Sequence, residues 1–74
     1  MLSKTSIQAM YINRVKDLQA LTAKYDKLID IRASGEDVDD FLYTVEYDLR
    51  RVSIEVELLR YILGEDVPEV SKNE

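Results

Sequence analysis

Apolar residues in the first half of the chain recur at steps of three and four positions. This spacing is typical of a single apolar stripe along an α-helix. No Gly or Pro interrupts residues 3–33. Two N-caps are possible: Ser3, with Leu2 and Ile7 as a hydrophobic staple, or Thr5, with Gln8 as a capping box. We therefore expect helix 1 at about residues 4–33. The stripe consists of Ile7, Tyr11, Val15, Leu18, Leu21, Tyr25, Leu28 and Ile29.

The second half carries a stronger pattern, in which aliphatic residues alternate between steps of four and three over four heptads. A seam of this kind is typical of coiled-coil packing and predicts helix 2 at about residues 37–63. Gly64, with Pro68 shortly after it, is expected to end this helix. The seam consists of Val38, Leu42, Val45, Leu49, Val52, Val56, Leu59 and Leu63.

The segment "ASGED" between the two patterns predicts a tight turn. Gly35 suits the left-handed position after helix 1, and Asp37 is expected to cap helix 2 by accepting a hydrogen bond from the amide of Asp40. A connection this short makes the helices antiparallel. After Gly64, residues 65–74 have little apolar content and are expected to form a flexible acidic tail.

The stretch "VSIEVELL" has two possible interpretations. Val52, Ile54, Val56 and Leu58 alternate with polar residues, as in a half-buried strand. The heptad seam passes through the segment without a break and is much longer than the alternation. We therefore predict a helix with two apolar faces.

The second apolar face lies roughly opposite the seam, because its residues cluster within about 60° at about 100° per residue. Helix 1 has one apolar face and can cover only one side of helix 2. A contiguous exposed stripe usually marks an interface. The predicted intermolecular interface consists of Tyr43, Tyr47, Ile54, Leu58 and Tyr61.

Three explanations of this face are possible. It forms the core of a homodimeric four-helix bundle, it docks a different protein, or its tyrosines lie flat on a monomeric hairpin. The first is our expectation. Tyrosine suits an interface because its ring contributes apolar area while its hydroxyl tolerates water.

The residue types argue against catalysis and cofactors. The chain has 74 residues with no Cys and no His, so thiol nucleophiles, the most common general base and the usual zinc and haem ligands are missing. The acidic cluster Glu36, Asp37, Asp39 and Asp40 lacks the ligand spacing of an EF-hand. A di-iron bundle site with its Glu-x-x-His pairs also needs His. We expect no enzyme activity, no metal and no cofactor.

Charge is distributed unevenly along the chain. Residues 1–35 contain six basic and three acidic residues, whereas residues 36–63 contain eight acidic and three basic residues. Asn13, Lys16, Lys24 and Lys27 lie on the outward side of helix 1 and form a possible face for nucleic acid or an acidic partner. The architecture is similar to that of Rop-like plasmid copy-number regulators, which are dimeric hairpins that bind RNA through their first helices, although no motif is shared.

The net charge of −5 disfavours nucleic-acid binding. An acidic helix 2 instead allows a second alternative, an inhibitor of a nucleic-acid-binding protein. Apolar runs are too short for a membrane span or signal peptide, so we expect a cytoplasmic protein with no membrane association.

Taken together, the patterns predict an all-α antiparallel hairpin that dimerises into a four-helix bundle. We expect it to act as a small adaptor, regulator or inhibitor through protein contact. The expected intramolecular contacts are made by Leu18, Leu21, Tyr25, Leu28, Leu42, Val45, Leu49, Val52, Val56 and Leu59.

Overall fold

The computed structural model describes residues 2–70, which form two long helices and one short 3-10 turn. Helix α1 spans Lys4–Ala33, helix α2 spans Asp39–Leu63, and the turn spans Gly64–Asp66. No strand occurs in this part of the chain. The prediction of an all-helical hairpin is confirmed, and "VSIEVELL" lies entirely within α2.

Contacts between the helices show that they run in opposite directions. Lys4 and Gln8, near the start of α1, both bind Asp66. Farther along, Tyr11 contacts Arg60 and Tyr25 contacts Glu46. Arg32, at the end of α1, pairs with Asp39 at the start of α2. Residues later in α1 contact residues earlier in α2, so the hairpin is antiparallel.

Local hydrogen bonds explain where the helices begin and end. The Ser3 side chain accepts a hydrogen bond from the Ser6 amide at 3.1 Å, so Ser3 is the N-cap of α1. Gly35 has a φ of 104°, a conformation that a residue with a Cβ rarely adopts. The turn therefore depends on glycine at this position.

The start of α2 differs from the prediction. The Asp37 carboxylate accepts from the Asp39 amide at 3.2 Å rather than from that of Asp40. Val38 is the N-cap, and its carbonyl accepts the first helical hydrogen bond, from Leu42, at 2.9 Å. Val38 is also 8% exposed. The first seam residue is therefore buried just outside the helix, which begins two residues later than expected.

The buried residues lie almost entirely on the α2 seam. All ten residues expected at the contact between the helices are buried or half-buried. Tyr11 is the one buried residue of α1, and it joins Val52, Val56 and Leu63 in a hydrophobic cluster. Within residues 2–70, the buried residues are Tyr11, Val38, Leu42, Val45, Val52, Val56 and Leu63.

The described part of the predicted tail packs instead of leaving the hairpin. Val67 and Val70 are half-buried against the hydrophobic cluster. The Gln8 side chain donates a hydrogen bond to the Asp66 carbonyl at 2.8 Å. The two valines, the Gln8 hydrogen bond and the Lys4–Asp66 ion pair connect residues 66–70 to the hairpin, in the segment for which the sequence predicts a flexible tail. Residues 71–74 lie outside the described part.

The molecule is elongated, with extents of 48 × 24 × 15 Å. Its radius of gyration is 14.9 Å, compared with about 11 Å for a compact domain of this length. Neither described helix is long and apolar enough to cross a membrane.

Candidate protein-interaction face on helix 2

The five residues of the predicted second face form one exposed surface along α2, which we call the outer face. Ile54 and Leu58 are 57% and 58% exposed, although the neighbouring seam residues Val52 and Val56 are 2% and 4% exposed. The difference arises because α1 covers only the seam side of the helix. The outer face consists of Tyr43, Tyr47, Ile54, Leu58 and Tyr61.

The apolar surface extends beyond the outer face toward α1. Ser53, Ile54, Glu57, Leu58 and Tyr61 line a shallow depression of about 420 Å³. A second groove, of about 400 Å³, runs between the helices and contains Leu58 and Ile62 from α2 and Met10 from α1. Leu58 belongs to both, so the exposed apolar surface is continuous from α2 to the edge of α1.

Sequence reasoning missed three exposed apolar residues. Ile62 and Met10 are 61% and 44% exposed, and Phe41 is 63% exposed. Ile62 follows Leu58 by four residues, a spacing that places the two on neighbouring parts of the helix surface and could have identified it. Met10 belongs to the other helix, and only the packing of the helices brings it beside Leu58.

Charged side chains border the outer face and form pairs within α2. Arg51 contacts Glu55 at 3.2 Å and Asp48 at 3.7 Å, and Arg60 contacts Glu57 at 3.6 Å. All of these side chains are at least one-third exposed. Such pairs contribute little to stability because water screens them, so they remain able to exchange partners.

One hydrogen bond connects a charged residue of α2 with the buried tyrosine of α1. The Arg60 guanidinium donates a hydrogen bond to the Tyr11 hydroxyl at 3.2 Å. This hydrogen bond and the charge interactions with Tyr11 and Glu57 raise the pKa of Arg60 above its ordinary value. Tyr11 can be buried because its hydroxyl has this partner at the surface.

Arg50 differs from the other two arginines of α2. It is exposed, and it forms no ion pair within residues 2–70. At about 100° per residue it lies about 40° from Ile54 around the helix. A positive charge without a partner therefore stands directly beside the outer face.

The possible nucleic-acid face on α1 is exposed but carries little charge. Asn13, Lys16, Lys24 and Lys27 are all accessible, and none of the three lysines forms an ion pair within the described residues. The lysines span about 16 Å of helix. Nucleic-acid surfaces need clustered positive charge, so the geometry gives little support to this alternative.

Acidic residues near the turn have local partners. Asp37 caps α2 and Asp39 lies 3.6 Å from Arg32. Among residues 2–70, no three acidic side chains come together in a group able to hold a metal ion.

No match to this chain was found among known protein families, curated proteins or solved structures.

Proposed function

We propose that the protein is a protein–protein interaction module that works as a homodimer, and that the outer face of α2 is its contact surface. It would act as an adaptor, regulator or inhibitor by shape and burial, without chemistry at a reacting centre. The observation that carries this proposal is the continuous exposure of Tyr43, Tyr47, Ile54, Leu58 and Tyr61 along one side of α2.

The balance of buried and exposed apolar residues supports a covered outer face. Within residues 2–70, seven hydrophobic residues are buried, whereas ten large ones are exposed. Scattered exposed hydrophobic residues are ordinary, but a contiguous stripe usually marks an interface. Half of these ten exposed residues lie on the outer face of α2, so they form a stripe and are not scattered.

The amount of exposed surface supports a second copy of the chain as the occupant. The accessible area is 5957 Å², compared with about 4,700 Å² for a compact monomer of this mass. The excess exceeds the roughly 800 Å² per partner that a standard protein interface buries. The outer face is also long enough to meet its own copy along most of α2, as a two-fold symmetric dimer requires.

The residue content supports a role without catalysis. The chain contains no His and no Cys, which are the side chains most often used as a general base near neutral pH and as a thiol nucleophile. The exposed surface that remains is apolar and bordered by screened ion pairs. Such a surface is suited to association.

Light scattering on a size-exclusion column tests the proposal. We expect the wild type to have twice the chain mass of 8.6 kDa. Ile54→Glu/Leu58→Glu should produce a folded monomer, because four added charges would be desolvated in the dimer. Ala9→Glu/Ala23→Glu is the matched control, since it adds the same charge at exposed positions of α1 that line neither the depression nor the groove, and it should leave the dimer intact.

The other outcomes separate the competing explanations. A wild-type monomer across the accessible concentration range would overturn the homodimer. If that monomer bound a different protein through the outer face, the interaction module would stand with another occupant. A dimer that survives Ile54→Glu/Leu58→Glu would show that the contact lies elsewhere.

A further inference from the structure

The charged residues of α2 fall into short bands of alternating sign along the helix. Glu46, Arg50, Arg51, Glu55 and Glu57 lie within about 100° of Ile54 around the helix, so a partner lying on the outer face would meet these bands in order. Asp48 and Arg60 lie about 120° from Ile54, and Arg60 contacts Tyr11 of α1. An acidic band is followed by a basic band, a second acidic band and a single basic residue. The bands are Glu46 with Asp48, Arg50 with Arg51, Glu55 with Glu57, and Arg60.

We infer that the two α2 helices of the dimer lie antiparallel, outer face to outer face, with Ile54 beside the two-fold axis. This inference rests on the proposed homodimer and specifies its geometry. Reversing α2 about residue 53 brings residues 50 and 51 level with residues 56 and 55 of the partner subunit. The basic band then faces the second acidic band of the partner subunit.

Charges without an intrachain ion pair match this register. Arg50 and Glu46 form no ion pair within residues 2–70, and Glu46 has only the Tyr25 hydroxyl at 3.4 Å. In the antiparallel dimer Arg50 lies within about one residue rise of Glu57 of the partner subunit. Glu57 is 70% exposed in its pair with Arg60 and can reorient toward a new partner.

The apolar residues fit the same register. Ile54 lies about 3 Å along the axis from its own copy, and Tyr47 comes within about one residue rise of Leu58 of the partner subunit. Tyr43 comes within about one turn of Tyr61 of the partner subunit. Aromatic rings at both ends therefore meet apolar side chains instead of charges.

A parallel dimer has the opposite charge arrangement. Each band would lie level with its own copy, so Arg50 of one chain would approach Arg51 of the partner subunit on both sides of the interface. Glu55 and Glu57 would repel their counterparts in the same way. Like charges placed together are destabilising, and the pattern therefore favours the antiparallel arrangement.

The position of α1 determines the order of the four helices. The seam and the outer face lie on roughly opposite sides of α2, about 180° apart at about 100° per residue. The two α2 helices are therefore inside and the two α1 helices outside. The resulting bundle is a flat row of four helices, in which α2 is covered on both sides.

Cysteine cross-linking tests this geometry directly, because the natural chain has no Cys. Ile54→Cys, Tyr43→Cys and Tyr61→Cys are made singly and treated with a short bifunctional maleimide reagent. We expect Ile54→Cys to cross-link to itself. Tyr43→Cys alone should not, because the two copies lie about 30 Å apart along the axis, but a mixture of Tyr43→Cys and Tyr61→Cys should cross-link.

Self-cross-linking by all three variants would overturn the antiparallel arrangement, as would a dimer in which Ile54→Cys fails to react. Both outcomes leave the homodimer itself in place. A wild-type monomer in light scattering would instead remove the proposed function and this inference together.

A charge reversal provides a second test, because it should raise the dimer Kd in the antiparallel arrangement and lower it in the parallel one. In the antiparallel dimer Arg50→Glu places acid beside acid twice, so we expect the dimer Kd to rise about fivefold. The double variant Arg50→Glu/Glu57→Arg should restore it. In a parallel dimer Arg50→Glu would face Arg51 and tighten association, which would overturn the inference. Lys16→Glu on the exposed side of α1 is the control and should leave the Kd unchanged.

Discussion

The two apolar sides of α2 differ more in their surroundings than in their hydrophobic content. The seam side is made of Val and Leu residues that are buried or half-buried against α1, whereas the outer face combines Ile54 and Leu58 with three tyrosines and is exposed. Tyrosine can leave its hydroxyl in water. A repeated apolar pattern therefore predicts that one side of a helix will be buried. Which helix or partner buries that side depends on the tertiary contacts.

The largest expected effect comes from placing a charge on each side in turn. Val52→Asp puts a carboxylate at a position that is 2% exposed, with a penalty of several kcal/mol. A single core of this size provides only about 3–5 kcal/mol, so we expect loss of helical circular dichroism. Ile54→Asp, two residues away, should keep the hairpin helical. Similar unfolding of both variants would contradict the distinction between the two sides.

Side-chain truncation sharpens the same distinction. Leu42→Ala should lower the free energy of unfolding by about 2–5 kcal/mol, because Leu42 is 4% exposed in the seam. Tyr43→Ala, at the adjacent exposed position, should lose less. Its loss should depend on protein concentration, because the lost contact belongs to the dimer. Thermal unfolding at several protein concentrations measures the stability loss of each variant. A concentration-independent loss for Tyr43→Ala would argue against a dimer contact.

A smaller effect is expected where the chain after α2 packs against the seam end. Val67→Ser should lower the free energy of unfolding by about 1 kcal/mol, since Val67 is half-buried against the hydrophobic cluster. Glu69→Ser, at an exposed neighbouring position, is the control and should leave it unchanged. Equal melting temperatures for wild type and Val67→Ser would mean that this packing contributes nothing in solution.

The smallest expected effect concerns the one polar contact between the seam and its border. Tyr11→Phe removes the hydroxyl that accepts from Arg60 and should lower the melting temperature slightly. The folded-state pKa of Arg60 is raised, so its contribution is present below the unfolded-state pKa and is lost only as pH rises through the higher value. The difference between wild type and Tyr11→Phe should therefore be constant from about pH 5 to 9.

Tyr61→Phe is the matched control when both substitutions are made in the Ile54→Glu/Leu58→Glu background, which removes the dimer contact, because Tyr61 is 86% exposed in the single chain. It should have no effect on the stability of the hairpin. A pH-dependent loss in Tyr11→Phe within the same range would mean that another ionisable group is involved.

The helices and the seam could be predicted from local pattern. Heptad spacing identified residues such as Leu42, Val45 and Val56, and the glycine at residue 35 is a local signal that does not depend on the rest of the molecule. The sequence left the N-cap of α1 open between Ser3 and Thr5, and the structure has Ser3. The exposure of Tyr43 and Tyr47 could also be predicted, because helix 2 has two apolar sides and helix 1 can pack against only one of them.

Other features of the candidate site could not be found in this way. Met10 lies beside Leu58 only because the two helices pack in one particular register. Ile12 lies off the main stripe of α1 and nevertheless packs against the hydrophobic cluster. The valines at positions 67 and 70 looked too sparse to pack, because the apolar surface that receives them is contributed by residues far away in the chain.

The sequence by itself therefore determined two helices, a tight antiparallel turn and a second helix with two apolar sides, because helical periodicity and capping act over a few neighbouring residues. Only the tertiary structure decided that Tyr11 is the buried residue of α1, that Arg60 is its polar partner and that the chain after Gly64 folds back against the cluster. These features depend on contacts between residues about 50 or more positions apart, and local spacing carries no information about such contacts.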